Sequence, residues 1–259
     1  MHDITATTAL VAGFTLGLDA TSNGWIKVYD STITTSGGGA LGGASGSGGE
    51  LLIDNSTIVL GSSGTAYQRS NTTISSSTIT ATASERLFAF NGGTLNIVNN
   101  IIDISTASSY LLGISTGAST FNMYNNNISA GSIALIRIQN STGQANIHHN
   151  IFNSVSGSKV LYSDASVATA FNVYNNTFYN SVAAGTAISR GNTPTTDINV
   201  KNNIFYNITD PLSYTGGTPI LSNNIYYNSS DEGGTGSMTS NPQFVTPGSV
   251  FSLQSTSPA

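Results

Sequence analysis

One short pattern returns nine times along the chain: an apolar residue, two positions of free choice, an Asn or Ser, and an apolar residue two positions later. We call the Asn or Ser the corner position, and successive copies lie 21 to 27 residues apart. The nine corner residues are Ser31, Ser56, Ser77, Asn100, Asn126, Asn150, Asn176, Asn203 and Asn224. This period is typical of a solenoid, in which each repeat is one coil that buries its apolar face against its neighbours.

The residues around each corner position predict β-strands. Val, Ile, Thr, Phe and Tyr dominate these segments, and their apolar residues alternate instead of following a helical spacing. In residues 95–98, for example, Leu95 and Ile97 point inward, and the next two residues turn the chain. An inward Asn at such a bend can bond the backbone of its own turn and of the next coil, which predicts a ladder. Ser does this more weakly, so residues 25–80 are expected to have the same architecture with a less rigid corner.

Residues 173–178, Val-Tyr-Asn-Asn-Thr-Phe, resemble the repeat of right-handed parallel β-helix proteins, the superfamily that includes pectate lyases. Residues 11–16 resemble a first coil of such proteins, and residues 241–245 and 251–259 resemble the closing segment of secreted members. The resemblance implies an all-β fold, a right-handed parallel β-helix of about nine to ten coils with an Asn/Ser ladder. It implies no single activity, because this fold hosts lyases, hydrolases, tailspikes and adhesins.

We expect one domain over residues 1–259, with an N-terminal coil or cap over 1–24, repeat coils over 25–228 and a C-terminal cap over 229–259. The Gly/Ser-rich run 36–49 is interpreted as a loop that projects from one coil, because coils continue on both sides. The apolar stretch 9–18 lacks the basic start and the length of a signal or membrane segment, so a first β-coil and no membrane insertion are predicted. Both ends look like cuts within a longer protein, which predicts a processed or excised piece.

Charge and cysteine content exclude several classes of partner. Only 7% of the residues are charged, against about 25% in typical soluble domains, so the surface must consist of Ser, Thr, Asn and Gly. A net charge of −5 and only seven Lys or Arg argue against nucleic acid. The absence of Cys excludes disulfides and thiolate metal sites. We expect no cofactor and no metal.

Catalysis by a β-helix polysaccharide lyase or glycoside hydrolase needs clustered carboxylates, which should recur in one outward column on adjacent coils. No such column is found among the twelve Asp and Glu. Asp30 and Asp54 come closest, but they lie one and two places before their corner positions and should point differently. The pattern therefore favours solvated carboxylates and no catalytic residue.

Two groups of outward residues are candidates for carbohydrate binding. A second strand in each coil has the outward column Ala89, Gly113, Arg137, Tyr162 and Ser189, with Lys159, Asp164 and Arg190 near Arg137 and Tyr162. Arg137 and Tyr162 can hold an acidic sugar by charge and stacking, but a surface cation–π pair is the favoured alternative. Tyr179, Tyr206 and Tyr227 lie three positions after successive corners, where they can bind sugar rings or, as the favoured alternative, stack and stabilise the sheet. A further outward column comprises Asn96, Asn122, Asn146, Asn172 and Asn199.

The adjacent His148 and His149 are the last candidates for a site. On a strand they should face opposite ways, so they are not expected to form a two-ligand metal site alone. His149 occupies the position before a corner, where Asn is the commonest residue in the later coils, and a hydrogen-bonding turn role is expected.

These features favour a secreted or cell-surface protein that is non-catalytic and serves as a structural or adhesive element, such as a subunit of a fibre or surface rod. A polysaccharide-binding or polysaccharide-degrading protein is the alternative. Its partners are expected to be copies of itself and a polysaccharide or glycan. Sequons for N-glycosylation occur at Asn55, Asn71, Asn127, Asn140, Asn175, Asn207 and Asn228, although so Asn-rich a chain produces several by chance.

Overall fold

A computed structural model describes residues 15–16, 25–35, 40–41, 50–60, 66–68, 71–81, 88–90, 93–104, 112–114, 119–130, 136–138, 143–154, 159–163, 170–180, 186–191, 198–215 and 218–259. These residues form β-strands and turns, and no helix that could cross a membrane is found among them. Each long sheet is built from strands that pair in parallel with the equivalent strands one coil earlier and one coil later. The chain is therefore a parallel β-solenoid, as predicted.

Three sheets form the walls of the solenoid. The first sheet, which leads into the corners, comprises Trp25–Tyr29, Glu50–Asp54, Asn71–Ser75, Gly93–Val98, Ser119–Tyr124, Gln144–His148, Ala170–Tyr174, Ile198–Lys201 and Ile220–Ser222. The second sheet, which leaves the corners, comprises Thr32–Thr35, Thr57–Leu60, Thr78–Ala81, Ile101–Ile104, Asn127–Ala130, Ile151–Asn153, Thr177–Tyr179, Ile204–Tyr206 and Ile225–Tyr227. The third sheet comprises Ala66–Gln68, Phe88–Phe90, Leu112–Ile114, Ile136–Ile138, Lys159–Ser163, Thr186–Arg190 and Asp210–Tyr214.

The residue immediately before each corner position turns the chain from the first sheet into the second. All nine of these residues have a positive φ, between 46° and 58°. They are Asp30, Asn55, Ser76, Asn99, Asn125, His149, Asn175, Asn202 and Asn223. Asn and Asp enter this left-handed region more readily than other residues with a side chain, which explains their abundance here.

The apolar columns beside the corners form the core. The column two positions after the corners is buried throughout, with Ile in the first five coils and Phe or Tyr in the last four. The rings of Phe152, Phe178, Phe205 and Tyr226 stack at centroid distances of 4.8, 5.0 and 5.3 Å. Stacked neighbours in register therefore replace the single compact core of a globular domain.

The corner residues form the predicted ladder, and all nine are buried. From Asn100 to Asn203, the backbone N–H of each corner residue donates to Oδ1 of the corner residue one coil later, at 2.9 to 3.0 Å. Each Nδ2 donates to a backbone carbonyl of the preceding coil at 2.8 to 3.0 Å. The asparagine ladder runs over five steps, from Asn100 to Asn224, and covers about five turns. This number is smaller than the nine to ten coils with an Asn/Ser ladder that the sequence predicts.

A further corner, which the repeat pattern did not reveal, lies at Gly236 and Ser237. Single parallel bridges join Thr235 to Ser222 and Met238 to Ile225, and the N–H of Asn224 donates to Ser237 Oγ at 3.2 Å. Gly236 has a φ of 72°, and a Cβ there would collide with the side chain of Asn223. The left-handed φ and this contact favour Gly at this corner, where the other coils carry mainly Asn.

Both ends of the solenoid have additional short strands. The antiparallel pair Phe244–Thr246 and Val250–Leu253 follows the last coil, within the predicted C-terminal cap. Thr15–Leu16 pairs in parallel with Ala40–Leu41, so part of the Gly/Ser-rich run is a strand and not only a projecting loop. The apolar pair Ala-Leu gives the run this strand-forming segment. The rest of the predicted N-terminal coil lies outside the described residues.

Candidate binding faces

The outer face of the first sheet carries a second asparagine ladder. It consists of the predicted outward column Asn96, Asn122, Asn146, Asn172 and Asn199, all half-buried. In each pair the later Asn donates from Nδ2 to Oδ1 of the earlier one, at 2.8 to 3.0 Å. The lateral Nδ2–H···Oδ1 bond uses one amide hydrogen and one lone pair of each residue. The remaining donor and acceptor capacity of the carboxamides is available at the surface.

An aromatic column runs beside this amide ladder, two residues further along each strand. His148 stacks between Tyr124 and Tyr174, with ring centroids 4.9 and 4.7 Å apart and ring planes 7° and 14° from parallel. A shallow pocket next to the column is lined by Asn172, Tyr174, Asn199, Lys201 and Asn202. We call the amide ladder, the aromatic column and Lys201 together the amide–aromatic face.

The two histidines lie on the same side of the chain, so the prediction that they face opposite ways is wrong. His149 has a φ of 56° and leaves the strand at the corner, and strand alternation therefore no longer applies to it. Its Nδ1 lies 2.9 Å from Nδ1 of His148, and its Nε2 lies 3.2 Å from Nδ2 of Asn175. Burial, followed by the charge of His149, lowers the pKa of His148.

The third sheet brings Arg137 and Tyr162 together, because they are paired in register on adjacent strands. The guanidinium carbon of Arg137 lies 5.9 Å from the Tyr162 ring centroid, and Nζ of Lys159 lies 3.7 Å from it. This is the arrangement of the favoured cation–π alternative. Arg190, by contrast, is buried in register with the inward Ser163 and does not belong to the surface group. Asp164 lies outside the described residues.

The tyrosine column of the second sheet points outward but is largely covered. Tyr179 stacks on Tyr206 at 4.8 Å, and Tyr206 lies 5.0 Å from Tyr227. The C-terminal hairpin packs on this column, with Phe251 5.2 Å from Tyr179 and Phe244 5.7 Å from Tyr206. Tyr179 is consequently only 9% exposed. The column attaches the hairpin to the solenoid, and carbohydrate binding by it stays a prediction.

The two carboxylates that the sequence places closest to a pair, Asp30 and Asp54, each accept a hydrogen bond from a different side chain. Asp30 accepts a hydrogen bond from Nδ2 of Asn55, while Asp54 accepts one from Oγ of Ser75 at 2.7 Å. Near the C-terminal end, burial and then the charges of Asp210 and Asp231 raise the pKa of Glu232. Within the described part of the chain, no group of three or more His, Cys, Asp or Glu could hold a metal ion.

The candidate glycosylation sites differ from the corner residues in exposure. Asn55, Asn71, Asn127, Asn175, Asn207 and Asn228 are exposed, and Asn140 lies outside the described residues. Of these, Asn207 donates from Nδ2 to Oδ1 of Asn180 at 2.8 Å. An exposed side chain is a condition for modification, and glycosylation itself stays a prediction.

The described geometry defines the class of protein as a parallel β-solenoid with a buried asparagine ladder and an outward amide–aromatic face. No protein-family model matches the sequence, and no match was found among curated proteins.

Proposed function

We propose that the protein is a non-catalytic structural or adhesive element, secreted or held at the cell surface, and related to the pectate-lyase-like right-handed β-helices. The observation that carries the adhesive part is the amide–aromatic face. It repeats the same polar groups at every coil over five strands, and strands in a sheet are about 4.8 Å apart. A polymer with a similar repeat can make equivalent contacts at successive coils.

The chemistry of this face suits a polysaccharide. Outward carboxamides both donate to and accept from sugar hydroxyls. Tyr124 and Tyr174 add apolar ring edges next to these amides, and Lys201 adds a positive charge beside the pocket. Because Lys201 is the charged member of that pocket, a chain that contains uronic acids is the preferred ligand.

Binding of polysaccharides to the purified protein tests the proposal. Tyr174→Ala and Lys201→Gln should each weaken binding of a uronate-containing oligosaccharide by about tenfold, whereas Tyr214→Ala should leave it unchanged. Tyr214 is a suitable control because it is 45% exposed on the third sheet, away from the amide–aromatic face. Equal binding by all three variants, or no binding of neutral and acidic polysaccharides, would refute the adhesive assignment.

The structural part of the proposal predicts self-association into a fibre or rod. A low charge density leaves little electrostatic repulsion between copies, and open sheet edges can pair with another strand. The third sheet ends at the strand Asp210–Tyr214, where Pro211 removes one backbone donor. Contact through this edge should therefore be weak, and replacing Pro211 with Thr should increase association. Sedimentation and electron microscopy that show only monomers for both proteins at high concentration would exclude assembly.

Polysaccharide degradation is the second candidate function, and Glu232 is the observation that favours it. A carboxyl group whose pKa is raised by burial and by the charges of Asp210 and Asp231 has one property of the general acid in a glycoside hydrolase. Incubation with acidic and neutral polysaccharides, with and without calcium, tests it. Release of new chain ends that Glu232→Gln abolishes would establish the hydrolase and overturn the non-catalytic proposal.

A further inference from the structure

We propose that His148 and His149 form a bidentate chelate for a divalent transition metal that prefers ligands at right angles, namely Cu²⁺ or Ni²⁺. This inference does not depend on the adhesive function. The two Nδ1 atoms lie 2.9 Å apart, His149 is exposed, and His148 is half-buried in the wall of the first sheet. Imidazole is a preferred ligand for copper and nickel.

The separation of the two nitrogens is that of a hydrogen bond in the metal-free protein, and it also fits one coordination geometry better than another. Bonds from a metal to imidazole nitrogens are about 2.0 to 2.1 Å long, so two ligands at 90° have nitrogens about 2.9 Å apart. Two ligands at the tetrahedral angle have nitrogens about 3.3 to 3.4 Å apart. The observed distance of 2.9 Å matches neighbouring positions of a square-planar or octahedral site. That geometry is preferred by Cu²⁺ and Ni²⁺, whereas Zn²⁺ prefers a tetrahedron.

Both rings are held by neighbours that contact the faces of His148 and Nε2 of His149. The faces of His148 are packed against Tyr124 and Tyr174, which fixes the plane of its ring. The side chain of Asn175 lies 3.2 Å from Nε2 of His149. Rotation of this amide would present Oδ1 to the Nε2–H, which is the second contact that metal-bound histidines normally make.

Metal binding requires a change of tautomer but no net loss of a proton. In the metal-free protein one Nδ1 donates to the other, so one of the two imidazoles carries its hydrogen on Nδ1. Moving that hydrogen to Nε2 leaves both Nδ1 lone pairs available. Among the described residues no group of three His, Cys, Asp or Glu converges here, so water is expected to complete the coordination shell.

The test is titration of the full chain with CuSO₄ and NiSO₄ by calorimetry, together with electron paramagnetic resonance of the copper complex. All measurements use a His2→Gln background, because His2 is the only other histidine in the sequence. We expect one Cu²⁺ per chain with two nitrogen ligands, and tighter binding of Ni²⁺ than of Zn²⁺. His149→Asn should lower the affinity for Cu²⁺ by about tenfold or more.

His149→Asn is a suitable variant because Asn occupies the same turn in six of the other coils, so the solenoid should fold normally. His148→Gln provides a second test within the aromatic column. Circular dichroism and the melting temperature of both variants report whether the fold is intact. A spectrum with fewer than two nitrogen ligands, tighter binding of Zn²⁺ than of Ni²⁺, or unchanged affinity in folded His149→Asn would overturn the proposal.

Discussion

The serine corners of the first three coils and the asparagine corners of the following six coils both bond backbone groups at the turn. They do so with different numbers of hydrogen bonds. Oγ of Ser56 accepts from the N–H of Ser31 at 3.2 Å and donates to the carbonyl of Asp54, two residues earlier in its own coil, at 2.8 Å. The side chain of Ser56 thus joins two coils. The side chain of Asn150 joins three, because its Oδ1 accepts from the N–H of Asn126 while its Nδ2 donates to the carbonyl of Met123 and to Oδ1 of Asn176.

The corner residue determines how many side-chain hydrogen bonds attach a coil to its neighbours. A carboxamide has two hydrogens and a carbonyl oxygen, whereas a hydroxyl has one hydrogen. The buried residue two positions after the corner also differs between the two regions. It is Ile33, Ile58 or Ile79 in the serine coils and a stacked Phe in the later asparagine coils. We therefore expect unfolding to begin in the serine coils, as local opening is easiest where bonding is weakest.

The largest effect is expected from removing a ring of the Phe stack. Phe178 is fully buried between Phe152 and Phe205, so Phe178→Ala should lower the free energy of unfolding by about 4 kcal/mol. Ile58→Ala, in the same column of a serine coil, should cost about 3 kcal/mol. Urea unfolding measures both values. A larger loss for Ile58→Ala would show that the ring stack does not strengthen the later coils.

Truncation of an asparagine corner should have the second largest effect on the free energy of unfolding. Asn150→Ala leaves the buried N–H of Asn126 and the buried carbonyl of Met123 without their partner, and we expect a loss of about 3 kcal/mol. Ser56→Ala removes the acceptor of a single backbone N–H, that of Ser31, and should cost about 1 kcal/mol. Equal losses in urea unfolding would mean that the two kinds of corner are energetically equivalent.

Exchange of one corner type for the other should have an intermediate effect. Asn150→Ser keeps an acceptor for the N–H of Asn126 but loses the bond to the Met123 carbonyl, so a loss of about 2 kcal/mol is expected. The opposite exchange, Ser56→Asn, should increase stability by about 1 kcal/mol. Thermal unfolding of the two variants provides the measurement. A stabilising Asn150→Ser would contradict the proposed role of the carboxamide.

The smallest effect is expected at the residue that precedes a corner. Asn125 is exposed and has a φ of 58°, a conformation that is less costly for Asn than for Ala. Asn125→Ala should lower the free energy of unfolding by about 1 kcal/mol, and Asn125→Gly by less. A loss as large as that of Asn150→Ala would mean that the residue before the corner, and not the corner residue, carries the stabilising bonds.

The periodic part of the structure could be predicted from the sequence, because the corner residues and their apolar neighbours recur in every coil. The amide–aromatic face could be predicted only in part. The outward Asn column repeats, but Tyr124, His148 and Tyr174 occupy a column that also contains Asp54, Ser75 and Val98, so no pattern marks them as a stack.

Other features depend on backbone geometry that the repeat does not specify. Strand alternation predicts opposite directions for the two histidines, but it does not hold across the left-handed turn at His149. The last corner, at Ser237, follows Asn224 by only 13 residues and contains Gly, so neither its spacing nor its composition resembles the other copies. The cover over Tyr179 comes from Phe244 and Phe251, which lie distant in sequence.

Hydrogen exchange of the asparagine side-chain amides, measured by nuclear magnetic resonance, tests the ladder most directly. Two of the late corners supply their own controls, because Asn125 and Asn175 are exposed while the adjacent Asn126 and Asn176 are only 2% and 1% exposed. We predict that the Nδ2 hydrogens of Asn126, Asn150 and Asn176 exchange about a hundredfold more slowly than those of Asn125 and Asn175. Equal exchange rates in the two sets would contradict a buried, hydrogen-bonded ladder.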